Sequence, residues 1–316
     1  MMGSPMPRRE LLSLKVLKSV TDVDFNEFSI FQRSAFHKPR ALIDASRVQT
    51  PSYYRWKYSS AGNPILVQIR INQELVASIS AIPIKFFISG EALLVYQLAD
   101  IATAKSYRRR GFFGTCLAAL LEELGPRTPI YCFPNPNSLE GILRAGFRQS
   151  TECYFWMRPA WPHLAERNRV DAVPPKQSQQ DLFQLGGLDL SDPETFEWRF
   201  KSRPGVTYSV VHLQSACTEP AKLVYRILRF GPIRVAAILA ARAYNSDEWR
   251  GLQTRAVEAM SREGVHAVLE FCHLRSPLQR GFIRIPTRML GRPFPVVERN
   301  FPGSFSQFGA ADWDVP

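Results

Sequence analysis

The stretch that decides the fold runs Leu98-Ala99-Asp100-Ile101-Ala102-Thr103-Ala104-Lys105-Ser106-Tyr107-Arg108-Arg109-Arg110-Gly111-Phe112-Phe113-Gly114. An apolar run, Ala92 to Thr103, predicts a strand. A short turn then carries three consecutive arginines and a glycine. From there the chain enters a helix with Phe113, Leu117, Leu120, Leu121 and Leu124 on one face. Gly125-Pro126 ends that helix. The first amides of such a helix have no intrahelical acceptor and point at whatever lies beyond its N-terminus. Together with the macrodipole they form an anion site suited to a pyrophosphate. Arg108, Arg109 and Arg110 can add charge-assisted bonds to phosphate oxygens. Alone, Arg-x-x-Gly is a weak pattern. Its place between a strand and an amphipathic helix gives it meaning.

The surrounding chain fits an α/β unit. Upstream, Asp24-Phe25-Asn26-Glu27 reads as a capping box, and Thr50-Pro51 opens a short aromatic helix holding Tyr53, Tyr54 and Trp56. Val67, Ile69 and Ile71 alternate with polar residues as in a strand. Asn72-Gln73 then turns the chain into a second strand from Leu75 to Ile82, where Pro83 predicts an edge or bulge, and Ser89-Gly90 makes the next turn. Downstream, Pro129 to Phe133 is a short strand. Asn137-Ser138-Leu139-Glu140 reads as a helix cap, Gly146 closes that helix, and Phe147 to Met157 is a further strand.

The 316 residues suggest two domains. Polar, proline-containing residues 161–180 suit a linker between residues 1–160 and 181–316. The second part echoes the first. Trp56-Lys57-Tyr58 recurs as Trp198-Arg199-Phe200, Leu75-Val76 as Leu223-Val224, and Phe113 to Phe133 as Leu252 to Phe271; Ala145-Gly146-Phe147-Arg148 recurs as Arg280-Gly281-Phe282-Ile283-Arg284. Two copies of one α/β unit are expected. Trp249-Arg250-Gly251-Leu252 offers no phosphate loop in the second.

Forty Lys and Arg stand against 28 Asp and Glu, a formal charge of +12, of which residues 1–160 carry +8. That excess is read as a solvated surface plus a local anion site; the chain lacks RNA-binding aromatic motifs and a helix-turn-helix signature, so nucleic acid is not expected as a partner. No apolar run is long enough to span a bilayer, and no secretory signal is evident. The five cysteines are scattered without a Cys-x-x-Cys pair, and the five histidines form no metal spacing. A cytoplasmic protein without a metal is expected.

With Arg108-Arg109-Arg110-Gly111-Phe112-Phe113 the sequence resembles the GNAT superfamily of acyl-CoA-dependent N-acyltransferases, whose loop reads Gln/Arg-x-x-Gly-x-Gly/Ala. Phe113 takes the sixth position, with Gly114 one step late. The resemblance covers about residues 50–158 and extends to Tyr131-Cys132-Phe133-Pro134-Asn135-Pro136-Asn137-Ser138-Leu139-Glu140-Gly141-Ile142-Leu143-Arg144-Ala145-Gly146-Phe147. It looks like the two-lobed members of that superfamily. The implied fold is two α/β lobes, each a mixed, largely antiparallel sheet flanked by helices. The implied co-substrate is acetyl-CoA or another acyl-CoA, and the partner a small-molecule amine such as an amino sugar or secondary metabolite. By the same resemblance, the backbone of Ile101, Ala102 and Thr103 would pair with pantetheine. Residues Arg108, Arg109, Arg110, Gly111, Phe112, Phe113 and Gly114 would hold the pyrophosphate, with Asn137 and Ser138 beside the cofactor's distal end.

Acyl transfer to an amine needs a proton acceptor for the amine and a donor for the departing thiolate. Members of the superfamily often place a Tyr where this chain has Ile142, which leaves the catalytic acid unassigned. Asp100, at a strand end facing the acceptor, and Tyr131, on the neighbouring strand, are the candidate catalytic residues; a turn or cap carboxylate and a core aromatic are the competing readings. Cys132 reads as a buried structural thiol. A catalytically degenerate acyl-CoA-binding or scaffold protein is the alternative function.

Overall fold

The computed structural model describes residues 11–36, 49–60, 62–88, 90–160, 183–214, 219–273, 283–285 and 294–301. The expected linker, Ser89 of the second turn and Arg280 to Phe282 of the repeat lie outside the described residues. The chain forms two compact units. Met1–Pro83 and Tyr96–Ile130 make the first, Ile84–Val95 and Tyr131–Val315 the second.

In the first unit, strands β1 (Leu12–Leu17), β2 (Ile65–Ile71), β3 (Glu74–Ile88) and β4 (Glu91–Thr103) lie side by side in that order. The β1–β2 and β2–β3 ladders are antiparallel. Strand β1 went unread in the sequence, although Leu12-Ser13-Leu14-Lys15-Val16-Leu17 alternates, because it is a mostly exposed edge. Asn72 and Gln73 join β2 to β3 with φ of 49° and 71°, the paired left-handed conformation whose twist matches the flanking strands. Pro83 breaks nothing: β3 runs through it. The ladder to β2 has ended two residues earlier, at Ala81 opposite Ile65, so that side of Pro83 needs no donor.

Three helices cover this sheet: α1 (Phe25–Phe36), α2 (Pro51–Tyr58) and α3 (Phe112–Leu124). Asp24 caps α1 by accepting the N–H groups of Asn26 (2.9 Å) and Glu27 (3.2 Å). Glu27 does not complete the capping box. Its carboxylate is taken by Arg70 of β2 (2.8 Å), which ties the helix start to the sheet. Thr50 caps α2 through the Tyr53 N–H, with Pro51 at the first position, as the sequence predicts. Between α1 and α2 the rings of Phe28 and Tyr54 (4.9 Å) and of Phe25 and Tyr58 (5.7 Å) meet edge to face, each pair adding about 1 kcal/mol beyond its burial. Cys116, Leu117 and Leu120 are the buried face of α3, which packs on β1 and β2.

The second unit holds β5 (Ile130–Cys132), β6 (Arg148–Pro159), β7 (Phe183–Leu185), β8 (Ser209–Leu213), β9 (Ala221–Phe230), β10 (Ile233–Ala243), β11 (Ala267–His273), β12 (Ile283–Arg284) and β13 (Phe294–Arg299). Strands β13, β6, β11, β10, β9 and β8 are neighbours in that order, and the β10–β11 pair is parallel. A parallel pair needs a crossover, and α6 (Ser246–Arg262) supplies it, packing Trp249, Leu252, Ala256 and Met260 on the sheet. Helix α4 (Pro136–Arg144) follows β5. The single turn α5 (Pro193–Phe196) continues as a π turn through Glu197–Lys201. Strand β6, which the sequence reading groups with residues 1–160, pairs with β11, β12 and β13 of the second half.

The element order of residues 51–132 (helix, three strands, helix, strand) recurs over residues 193–273. Each unit is a mixed, mainly antiparallel sheet flanked by helices. Replacing Gln73 by Gly should stabilise the chain by about 1 kcal/mol, because Gly adopts positive φ without the Cβ clash. A rise in the thermal unfolding midpoint of Gln73→Gly checks this.

Candidate active site

Strand β4 carries a backbone irregularity toward its C-terminal end. Asp100 sits at φ 51°, three residues before the strand ends at Thr103. Asp is among the few residues that tolerate this conformation. The distortion leaves two carbonyls to side chains: Ser80 Oγ donates to Ala99 (3.0 Å), and both Ser78 Oγ (3.1 Å) and Gln32 Nε2 (3.0 Å) donate to Asp100.

The Asp100 carboxylate faces inward. Lys57 Nζ lies 2.9 Å from Oδ1, the Tyr58 hydroxyl donates to Oδ2 at 3.1 Å, and Ser80 Oγ is 3.4 Å away. The side chains of Lys57 and Asp100 are 6% and 10% exposed, which makes this a buried ion pair. Burial first, and then the Asp100 charge, push the Tyr58 hydroxyl well above its ordinary pKa, so it stays a donor. Asp100, expected at a strand end facing the acceptor, is enclosed by three donors. Lys57, Tyr58, Gln32, Ser78 and Ser80 escaped the sequence reading. The signal for Lys57 was a cation set between Trp56 and Tyr58 on α2; for the serines it was their alternate spacing on one strand.

The loop after β4 is braced before it reaches the helix. Arg108 Nε donates to the Thr103 carbonyl (3.2 Å), and its Nη2 donates to the Ala35 carbonyl near the end of α1 (3.3 Å). Ala104 N–H bonds to the Val76 carbonyl (2.9 Å). Arg109 is exposed at φ 65°, and the Arg110 guanidinium lies 5.1 Å over the Tyr107 ring. Gly111 then caps α3 at φ 82° with no side chain on the helix amides and no acid in the first turn. A Cβ at Gly111 or Gly114 would meet no protein atom within 4 Å, so the space before the helix is open. An anionic phosphate fits this end on charge and on room. The corresponding helix of the second unit does not offer the same. At α6 the Asn245 side chain takes the Asp247 and Glu248 amides, and two acids occupy the first turn.

Strand residues Ile101 and Thr103 are half-buried and Ala102 is buried, with Thr103's carbonyl engaged by Arg108. Asn137 and Ser138 lie in the second unit. The structure corrects their reading as the helix cap: Asn135 is the cap, with Pro136 at the first position, and its Oδ1 accepts both the Asn137 (2.9 Å) and Ser138 (3.2 Å) amides. Ser138 is buried and its hydroxyl donates to the Asn135 carbonyl, leaving the exposed Asn137 side chain as the polar group available to a ligand. Tyr131, also in the second unit, is fully buried among Phe86 (5.1 Å), Phe133 (6.0 Å) and Phe301 (6.2 Å). Ile142 is likewise fully buried. Burial pushes the Cys132 thiol up to about 12, which keeps it protonated and unreactive near neutrality.

Residues 16–133 match the family described as the acetyltransferase (GNAT) domain. That stretch is similar to a GNAT domain. That match starts well before the α2 helix and takes in β1 and α1. Solved structures at low sequence identity share the fold. A GCN5-related N-acetyltransferase from Anabaena variabilis superposes with a TM-score of 0.59 at 12% identity, covering 91% of this chain and 72% of that one. Eis1 from Mycobacterium abscessus gives 0.57 at 12%, over 92% and 73%. Saccharomyces cerevisiae N-myristoyltransferase, solved with bound myristoyl-CoA, gives 0.55 at 12%, over 95% and 82%. No curated protein matches the chain in sequence. Among the described residues no helix is long and apolar enough to cross a membrane, and no group of three His, Cys, Asp or Glu is arranged to hold a metal.

Two predictions rest on this geometry. Lys57→Met leaves a buried carboxylate without its cation and should cost roughly 3 kcal/mol in denaturant unfolding, whereas Lys57→Met combined with Asp100→Asn should recover part of that loss. Cys132→Ala should keep the wild-type turnover rate, measured as thiol release from acyl-CoA, because a protonated thiol takes no part in the transfer.

Proposed function

We propose that this protein is an acyl-CoA-dependent N-acyltransferase that moves an acetyl group from acetyl-CoA to the amine of a small molecule such as an amino sugar or secondary metabolite. The observation that carries the reading is the uncapped, acid-free N-terminus of α3, opened by a left-handed Gly111 and preceded by three arginines. In this proposal residues 1–160 bind the acyl-CoA, 161–180 link, and 181–316 form a second lobe whose helix N-terminus is already closed by Asn245. The protein works in the cytoplasm.

The amides of Phe112, Phe113 and Gly114, with Arg109 and Arg110, hold the pyrophosphate. Arg108 holds the loop itself, through Thr103 and Ala35. The backbone of Ile101 to Thr103 lines the pantetheine as an added strand would. The neutral amine of the acceptor attacks the thioester carbonyl, the N–C bond forms as the C–S bond breaks, and the proton lost by the nitrogen is passed through water to the departing thiolate, giving an amide and free CoA thiol. Asp100 keeps the left-handed turn of β4 in shape through its ion pair and is a positioning residue; Asp100→Asn then alters KM and stability while leaving the shape of the pH–rate profile intact. Loss of the acidic limb of kcat in Asp100→Asn would instead make it the proton acceptor.

A catalytically silent acyl-CoA binder is the second reading, favoured by the burial of Ile142 and Tyr131 in apolar surroundings. Two measurements test the proposal. Isothermal titration should show acetyl-CoA binding to the wild type and at least tenfold weaker binding to Gly111→Glu, which places a side chain and a negative charge in the open space before α3. Thiol release against a panel of amines should then separate the enzyme from the silent binder. Binding unchanged in Gly111→Glu overturns the loop assignment.

A further inference from the structure

Strand β1 ends the sheet of the first unit. Its one edge pairs with β2, and among the described residues no strand takes the other. The register says which backbone groups that edge presents. The Leu11 carbonyl accepts the Asn72 N–H (3.0 Å), and the antiparallel ladder runs on without a shift from Leu12 opposite Ile71 to Leu17 opposite Leu66. In such a ladder alternate residues exchange hydrogen bonds with the partner strand, and those between them turn their groups away. Leu11, Ser13, Lys15 and Leu17 therefore face β2. Leu12, Leu14 and Val16 present their N–H and C=O groups outward.

The same three residues make one face of the edge apolar. They stand opposite Ile71, Ile69 and Val67, all buried, yet Leu12 and Leu14 are 57% and 40% exposed, and Leu11 before them 75%. The opposite face belongs to α1, whose Glu27 holds Arg70 beside Ser13. An edge of six residues with outward donors, outward acceptors and exposed leucines is a template for another strand.

That edge is complementary to itself. Antiparallel pairing about a two-fold axis at Leu14 sets Leu14 against Leu14, and Leu12 against Val16 of the second copy. Every outward-facing residue of the strand then meets another, and three apolar side chains from each copy share one face. Lys15 stands opposite Ser13 on the other. Charge selects the same register. In sequence, Glu10 precedes the strand and pairs in number with Lys18 of the second copy, opposite in sign. An axis at Ser13 would pair Arg8 with Lys18, and an axis at Lys15 would set two lysines against each other. We propose that this chain forms a two-fold homodimer through β1, the sheet of the first unit running on from one copy into the other. Such a contact uses the same edge on both copies, so assembly stops at two. The dimer leaves the α3 loop aside and stands whether or not the acyltransferase reading does.

The test is sedimentation equilibrium on the full chain over a concentration series reaching the submillimolar range. Wild type should show a monomer–dimer equilibrium. Leu14→Lys, which places two like charges face to face at the axis, should raise the dissociation constant at least about tenfold with an unchanged thermal midpoint of the monomer. Mild oxidation then reads the register. Leu14→Cys should give a covalent dimer, since directly opposed strand residues lie within disulfide reach, and Leu12→Cys should not, because it meets Val16. Wild type treated alike sets the background from the native cysteines. Three results overturn the proposal: a wild type that stays monomeric, which leaves the edge to a strand of another protein; a Leu14→Lys dimer as tight as the wild type; or Leu12→Cys cross-linking as readily as Leu14→Cys.

Discussion

The Lys57–Asp100 pair is the constraint on which the first unit is arranged. Placing a lysine and an aspartate away from water is costly unless each meets the other and further hydrogen bonds. Here the aspartate also accepts from Tyr58, and its backbone carbonyl takes Ser78 and Gln32. These bonds join α1, α2, β3 and β4 at one point, so the left-handed turn of β4 at Asp100 is held from several sides at once. Beyond that point the strand delivers Thr103 to the loop. The direction in which the chain leaves the sheet, and hence where α3 begins, follows from a polar contact in an otherwise aromatic layer.

Features governed by neighbours in sequence are legible in the sequence itself. Thr50-Pro51 caps its helix, Asn72-Gln73 turns its hairpin, and Gly111 opens α3, because each depends on the backbone preferences of two or three adjacent residues. The α4 cap was misplaced by two residues although Asn135-Pro136 carries the same signal as Thr50-Pro51. Contacts across long separations were not legible. Lys57 and Asp100 are 43 positions apart, and nothing local says that a strand aspartate will turn inward. The partners of β6 were hidden likewise, since an alternating strand names its faces but not its neighbours.

The two copies differ in where they place negative charge. At the start of α3 glycine leaves the amides open; at the start of α6 an asparagine and two acids close them. Toward the C-terminal end of β4 an aspartate neutralises the cation of the preceding helix; at the middle of β10 alanine and leucine stand instead. The fold tolerates both patterns, because the backbone ladders and the packed helix faces are common to each.

Arg108 divides the arginine triplet in two. With its guanidinium bound to carbonyls at the end of β4 and near the end of α1, it belongs to the frame of the loop. In the proposed acyl-CoA site, the exchange of salt ions for a ligand's phosphates then falls to Arg109 and Arg110. Binding at this loop should weaken with added salt as a two-cation site does, more gently than three adjacent arginines in the sequence would suggest.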